Sequence, residues 1–108
     1  MAFKIIWSDT AGEDLKAIVF YIGLDNPAAA ARLAARILSR IEIAAQYPLS
    51  LRMVPEKNSR KIREALLNPY RIVFAVDEKQ GVLHVLRIWH AARGMPEIGK
   101  TPEGKESN

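Results

Sequence analysis

Apolar residues recur at helical spacing in the first half of the chain and at every second position in the second, and the change of period outlines the fold. Leu15, Ile18, Val19 and Ile22 fall at i, i+3, i+4 and i+7, the stripe of a helix laid on a core. Ser8, Asp9 and Thr10 precede it as candidate N-caps, and Thr10 with Glu13 has capping-box spacing. The helix is predicted to end near Leu24. There Asp25-Asn26-Pro27 turns the chain and starts a second helix, with Asn26 as N-cap and Pro27 as its first residue. This second helix, about 27 to 46, carries Leu33, Ile37 and Ala44 on one line and Ala34, Leu38, Ile41 and Ala45 on the next, so a broad sector should be buried. So short a connection makes the two helices an antiparallel hairpin.

Strands flank the hairpin. FKIIWS (3–8) is rich in β-formers. Beyond Pro48 a basic loop leads to three segments, 61–67, 70–77 and 82–90, whose links Asn68-Pro69 and EKQG suit an antiparallel meander. The expected fold is α+β: an antiparallel sheet, built from a short N-terminal strand and a three-strand C-terminal meander, packed against the N-terminal α-helical hairpin. Residues 1–94 form one domain, and the polar stretch 95–108 reads as a partly disordered tail.

Alternation also assigns faces. Tyr70, Ile72, Phe74 and Val76 should point at the helices, leaving Arg71, Val73, Ala75 and Asp77 on a more open face. Pairing Leu66 with Arg71 puts Glu64 diagonal to Arg71 on that face. Of two parities for the last strand, the one that keeps Arg87 out of the core sets it beside Arg71. Glu64, Arg71 and Arg87 thus gather on one side of the sheet, with His90 and Arg93 at its rim. Two neighbouring arginines call for an anion between them, and a guanidinium fork accepts Glu64, a partner's carboxylate or a phosphate equally well.

Charge narrows the picture unevenly. The chain of 108 residues has a formal net charge of +4. Residues 1–50 hold five Lys/Arg against five Asp/Glu, while residues 51–108 hold eleven against seven. A basic partner surface is therefore expected in the second half, suited to RNA, DNA or an acidic protein. Cysteine is absent, which removes disulfides and thiolate metal sites and fits a cytoplasmic setting. Apolar runs fall short of a membrane span, and no signal peptide is evident.

Candidate chemistry is sparse. His84 and His90 lie six residues apart on one strand, no tight metal pair, and neither a phosphate-binding glycine loop nor a nucleophile elbow occurs. No metal or cofactor is expected. His84, between apolar neighbours, reads as a core histidine. Metal-free RNA cleavage would draw on Glu64 or His90 for proton transfer and on Arg71, Arg87 and Arg93 for phosphate. Ala17, Phe20 and Leu24 form a second apolar line on the first helix, to be covered by the second helix or by a partner.

The stretches WSDTAGEDLKAIVFYI, DNPAAAARLAARILSRIEIAAQYP, KIREALLNPYRIVFAV and VLRIWHAAR together resemble the RelE/ParE superfamily of toxins from bacterial type II toxin-antitoxin modules, from about residue 4 to 93. The resemblance implies neutralisation by a cognate acidic antitoxin, ParD-like, whose extended and partly helical segment wraps the toxin. Ala17, Phe20 and Leu24 are candidates for that contact, in a toxin–antitoxin hetero-oligomer. It implies two possible targets: mRNA in the ribosome, cleaved by RelE-like members, or DNA gyrase, inhibited by ParE-like members. The hairpin entered through DNPAAA and the RIWHAAR ending look more like the ParE branch. Arg71 matches an arginine of the ribonuclease branch and His90 matches only loosely, while no tyrosine follows Tyr70, so that branch's late aromatic is missing. The reading is a gyrase-binding toxin that is not an enzyme, with Arg71, Arg87, His90 and Arg93 as target-binding candidates. A metal-independent mRNA interferase using Glu64, Arg71, His90 and Arg93 is the alternative, and a degenerate member that binds antitoxin without toxicity is the third.

Overall fold

The structure, a computed structural model, describes residues 2–94 and residue 98. In chain order the elements are β1 (Lys4–Trp7), α1 (Asp9–Gly23), α2 (Pro27–Gln46), β2 (Arg52–Met53), β3 (Ile62–Leu67), β4 (Tyr70–Asp77) and β5 (Val82–His90), with 3-10 turns at Pro48–Ser50 and Ala91–Arg93.

Of the three candidate caps of α1, Ser8 does the work. Its backbone is extended and its hydroxyl oxygen accepts from the Ala11 N–H at 3.0 Å. The same hydroxyl donates to the Leu86 carbonyl, also at 3.0 Å, so one side chain starts the helix and ties it to β5. At the hairpin turn Asn26 accepts from the Ala29 N–H at 3.0 Å, and Pro27 needs no partner at the first helical position.

The sheet order is β1-β5-β4-β3-β2. The meander is antiparallel as expected, and Leu66 faces Arg71. Leu67 also pairs with Tyr70, so the turn between them is only Asn68 and Pro69, joined by a cis peptide bond. Two features enlarge the predicted sheet. β1 joins it in parallel beside β5, from Lys4 opposite Val82 to Trp7 opposite Val85, making the sheet mixed. The basic loop contributes β2, a two-residue edge paired antiparallel with β3.

On the helix face Ala11, Ile37, Ile41, Ala44 and Ala45 meet Ile72, Phe74, Val76, Leu83, Val85 and Ile88. Phe74, Ile37 and Ile72 are fully buried, each contributing about 1.5–3 kcal/mol by leaving water. Leu15, Ile18, Leu33 and Tyr70 close the margin. Leu38, expected inside, is 45% exposed, because the sheet meets a narrower sector of α2 than the apolar count suggested.

The opposite face is not open. Val54, Ile62, Val73, Ala75 and Leu86 form a second small core there, and Ile98 packs on it. Arg71, assigned to an open face, is 7% exposed. The rest of the tail, 95–97 and 99–108, lies outside the described residues, and so does its reading as disordered. His84 belongs to neither core: it is half-buried, opposite Ile6 and Ala75.

Candidate functional site

The arginines drawn together by the sequence reading sit at the end of the sheet where β4 begins and β5 finishes. Alternation along β5 breaks there. Val85 pairs with Phe74 and Arg87 with Val73, so Leu86 is an extra residue, a β-bulge. Leu83, Val85 and Ile88 all reach the main core, while Leu86 joins the second one. The bulge is what lets these residues, at uneven spacing, satisfy two cores.

It also moves Arg87. Expected beside Arg71, the residue stands opposite Val73, and Trp89 takes the place opposite Arg71. β5 extends past the end of β1, leaving an edge without a strand partner. α1 closes it. Ser8 donates its backbone N–H to Val85 at 3.0 Å, and Asp14 Oδ2 accepts from the Ile88 N–H at 3.0 Å. Asp14 also takes both ends of a guanidinium fork, with Arg87 Nε at 2.8 Å and Nη2 at 3.1 Å. These bonds raise the Arg87 pKa above its ordinary value, against the opposing effect of burial.

Arg71 is held still more tightly. Its Nε donates to Glu64 Oε1 at 2.7 Å, while Nη1 and Nη2 reach Glu56 at 3.2 and 2.9 Å, and Nη1 also bonds the Gly94 carbonyl at 3.2 Å. Glu64 accepts on its other oxygen from Arg52 Nε at 2.6 Å. Glu64 has no exposed side-chain surface, whereas Arg52 is about half exposed. Two glutamates thus balance two arginines. The Glu56 bond is the first cause of the rise in the Arg71 pKa, with Glu64 adding to it and burial opposing. Reciprocally, the Arg71 guanidinium holds the Glu56 carboxyl below its usual value.

Around Trp89 the remaining candidates assemble. The Arg87 and Arg93 guanidiniums lie 4.7 and 4.6 Å from its ring centre, within cation–π range. The Trp89 indole N–H is buried without a partner among the described residues. His90 meets the edge of Tyr70 at 5.6 Å, and its Nδ1 accepts from the Ala92 N–H at 3.2 Å, capping the 3-10 turn. Arg93 is exposed and His90 half-exposed.

The five sheet-end candidates therefore divide. Glu64 and Arg71 belong to a buried network, Arg87 to Asp14 and Trp89, and only His90 and Arg93 face outward. The anion demanded by Arg71 is Glu64 joined by Glu56, and the one beside Arg87 is Asp14. Asp14, Glu56 and Trp89 escaped the sequence reading. Asp14 is 73 positions from its partner, and only the parallel placement of β1 brings its helix there.

On α1, Phe20 and Leu24 are 69% and 70% exposed, and Ala17 is exposed beside them. α2 does not cover this line. On the far side of α2, Arg32, Arg36 and Arg40 succeed one another at four-residue intervals, a spacing that aligns them along the helix.

Residues 5–95 match the family described as the ParE toxin of the type II toxin-antitoxin system, parDE. Toxin RelE2 of Caulobacter vibrioides is 36% identical over 91 residues, covering 83% of this chain and 97% of that one. Among solved structures, the fold is similar to a chromosomal ParDE system from P. aeruginosa, with a TM-score of 0.69 at 21% identity over 82% of this chain and 96% of that one. It is also similar to the RelBE2 toxin-antitoxin complex from Mycobacterium tuberculosis, with a TM-score of 0.64 at 17% identity over 83% and 99% of the respective chains. Mixed sheet, helical hairpin and residue match agree, and the chain belongs to the ParE toxin family of type II toxin-antitoxin systems.

Proposed function

We propose that this toxin acts in the cytoplasm by binding a protein target, DNA gyrase, and is neutralised by a cognate ParD-like acidic antitoxin. The observation that carries the target reading is the state of Glu64 and Arg71. A ribonuclease that used Glu64 for proton transfer and Arg71 for phosphate would need both free to meet RNA. Here the carboxylate has no exposed surface and both of its oxygens are bound by arginine. What remains outside is an arginine stacked on tryptophan and a histidine at its flank, a surface suited to grip a protein. The antitoxin reading draws on the exposed Ala17, Phe20 and Leu24 line and on the structurally similar RelBE2, which was solved as a toxin-antitoxin complex.

The test is expression without antitoxin. Filamented cells, an induced DNA-damage response and inhibited supercoiling by purified gyrase are the expected results. Phe20→Asp and Leu24→Asp should weaken the antitoxin complex while the isolated toxin stays folded, and unchanged affinity in both would move the contact elsewhere. The second reading, a ribosome-dependent mRNA endonuclease, is favoured by His90 and Arg93 standing together at the rim. Rapid translation arrest with cuts in ribosome-bound mRNA would establish it, and growth unaffected by expression would mark a non-toxic member.

A further inference from the structure

Asp14 reaches out of α1 to donors that all belong to β5: Nε and Nη2 of Arg87 at 2.8 and 3.1 Å, and the Ile88 N–H at 3.0 Å. Both side chains of the ion pair are only 16% exposed, so solvent screens it little. Gripped at both ends of its fork, the Arg87 guanidinium is fixed in plane as well as in place, 4.7 Å from the centre of the Trp89 ring. Arg93 lies 4.6 Å from the same centre. A line of contacts thus runs from carboxylate to guanidinium to ring to a second guanidinium, and of these four side chains only the last, Arg93, is exposed. Since the Trp89 indole N–H has no hydrogen-bond partner among the described residues, the polar contacts that orient this ring are those at its π-system.

Charge at this end of the sheet is almost closed. Glu64 and Glu56 answer Arg52 and Arg71, and Asp14 answers Arg87. Arg93 meets no carboxylate among the described residues. Without Asp14, two uncompensated cations would crowd one ring and repel each other. With it, a single net cation lies on an aromatic surface, flanked by the half-exposed His90. Such a site is matched by one carboxylate, whereas a nucleic acid strand, with its run of phosphates, calls for several open cations in a row.

We propose that Asp14 is the positioning residue of the target-binding surface: by neutralising and fixing Arg87 it sets the Trp89 ring, and through the ring the exposed Arg93, which pairs with a carboxylate on the protein target. The inference rests on the reading that this end of the sheet grips a protein. It gives α1 a part in target binding through a residue outside the exposed Ala17, Phe20 and Leu24 line.

The test measures inhibition of purified gyrase by the full chain and its variants, at a temperature where circular dichroism shows each of them folded. Asp14→Asn keeps an oxygen for the Ile88 N–H and removes the charge that holds Arg87, so it separates the two tasks of the residue. It is expected to raise the half-inhibiting concentration about tenfold, and Asp14→Glu, which keeps the charge, to recover most of that loss. In an Arg93→Ala background, itself weakened, Asp14→Asn should add no more than about twofold, because it acts through Arg93. A residue that only supported the fold would cost the same factor in either background. In the isolated toxin, Asp14→Asn should also shift the NMR resonances of the Trp89 indole N–H and the Arg93 Nε–H. Inhibition by Asp14→Asn equal to wild type, equal losses in the two backgrounds, or unmoved Trp89 and Arg93 resonances would overturn the proposal. So would a short DNA duplex that binds the toxin and loses affinity with Arg93→Ala, which would put phosphate in place of the carboxylate. A wild type that arrests growth without inhibiting gyrase would overturn the gyrase target alone, and the same ranking of variants is then required in growth arrest. A wild type that does neither would overturn both.

Discussion

The arginines of the sheet end and those of α2 are the same residue type put to opposite uses. Arg71 is buried with five N–H donors to satisfy, so the chain supplies Glu64, Glu56 and a backbone carbonyl around it. Arg32 and Arg36 stand in water, where solvent satisfies them and no carboxylate is required. The first group therefore has its worth in folding and the second in what it can attract. Counting charges by half of the chain inverts this order. The neutral first half presents the open row, while much of the basic excess of the second half is already answered from within.

Substitutions sharpen the contrast. The largest effect is expected for Arg71→Ala, which strips a fully buried carboxylate of one of its two cations. Breaking such a pair costs about 3 kcal/mol or more, so the melting temperature followed by circular dichroism should fall on the order of 10 °C or more. Asp14→Ala comes next. It frees Arg87 and orphans the Ile88 N–H at a partly buried edge, and a loss of about 2 kcal/mol is expected in urea unfolding. A nearly unchanged midpoint would show that water replaces Asp14 there and that α1 does not close the sheet.

Glu56 tests the network through pH. Its carboxyl titrates below the ordinary value of 4.5 in the folded chain, so its contribution is fully present above that pH and is lost as pH falls through the depressed value. Stability of wild type and Glu56→Gln should differ by a constant amount above about pH 5 and converge on acidification. A gap that stays constant down to the lowest pH at which the chain folds would detach Glu56 from Arg71. The smallest effect belongs to α2. Arg32→Ala and Arg36→Ala should each shift stability by no more than about 0.5 kcal/mol. A larger loss would mean that the row serves the fold.

Much of the fold is legible because it rests on local periodicity. Leu15 and Ile18, Ile37 and Ile41, and the alternation from Tyr70 to Val76 each name their element and its inward face from neighbours a few positions away. Asn26-Pro27 marks the hairpin turn as sharply in sequence as in space. What escaped depends on distance or on exceptions to period. Two residues of β2 are too few to alternate. The parallel seat of β1 is decided by the path of a whole helical hairpin, and Asp14 reaches Arg87 only through it. Within the candidate site, the pairing of Glu64 with Arg71 follows from cross-strand register and was readable. Glu56 comes from a loop without any register. The arginine row of α2 was in plain view as a four-residue repeat, hidden only by averaging over fifty residues.

Leu86 gives the end of β5 its phase. Upstream of it the odd-numbered residues Leu83 and Val85 point to the helices, and downstream the even-numbered Ile88 does. Were Leu86 paired as an ordinary strand residue, regular alternation from Val85 would carry Arg87 and Trp89 to the hairpin side and Ile88 to the side of the arginines. Taken up as the extra residue, it leaves Arg87 opposite Val73, Ile88 opposite Ile72 and Trp89 opposite Arg71. Deleting Leu86 would therefore keep those pairings in a regular strand, and its cost would fall on the second core, which loses a buried leucine.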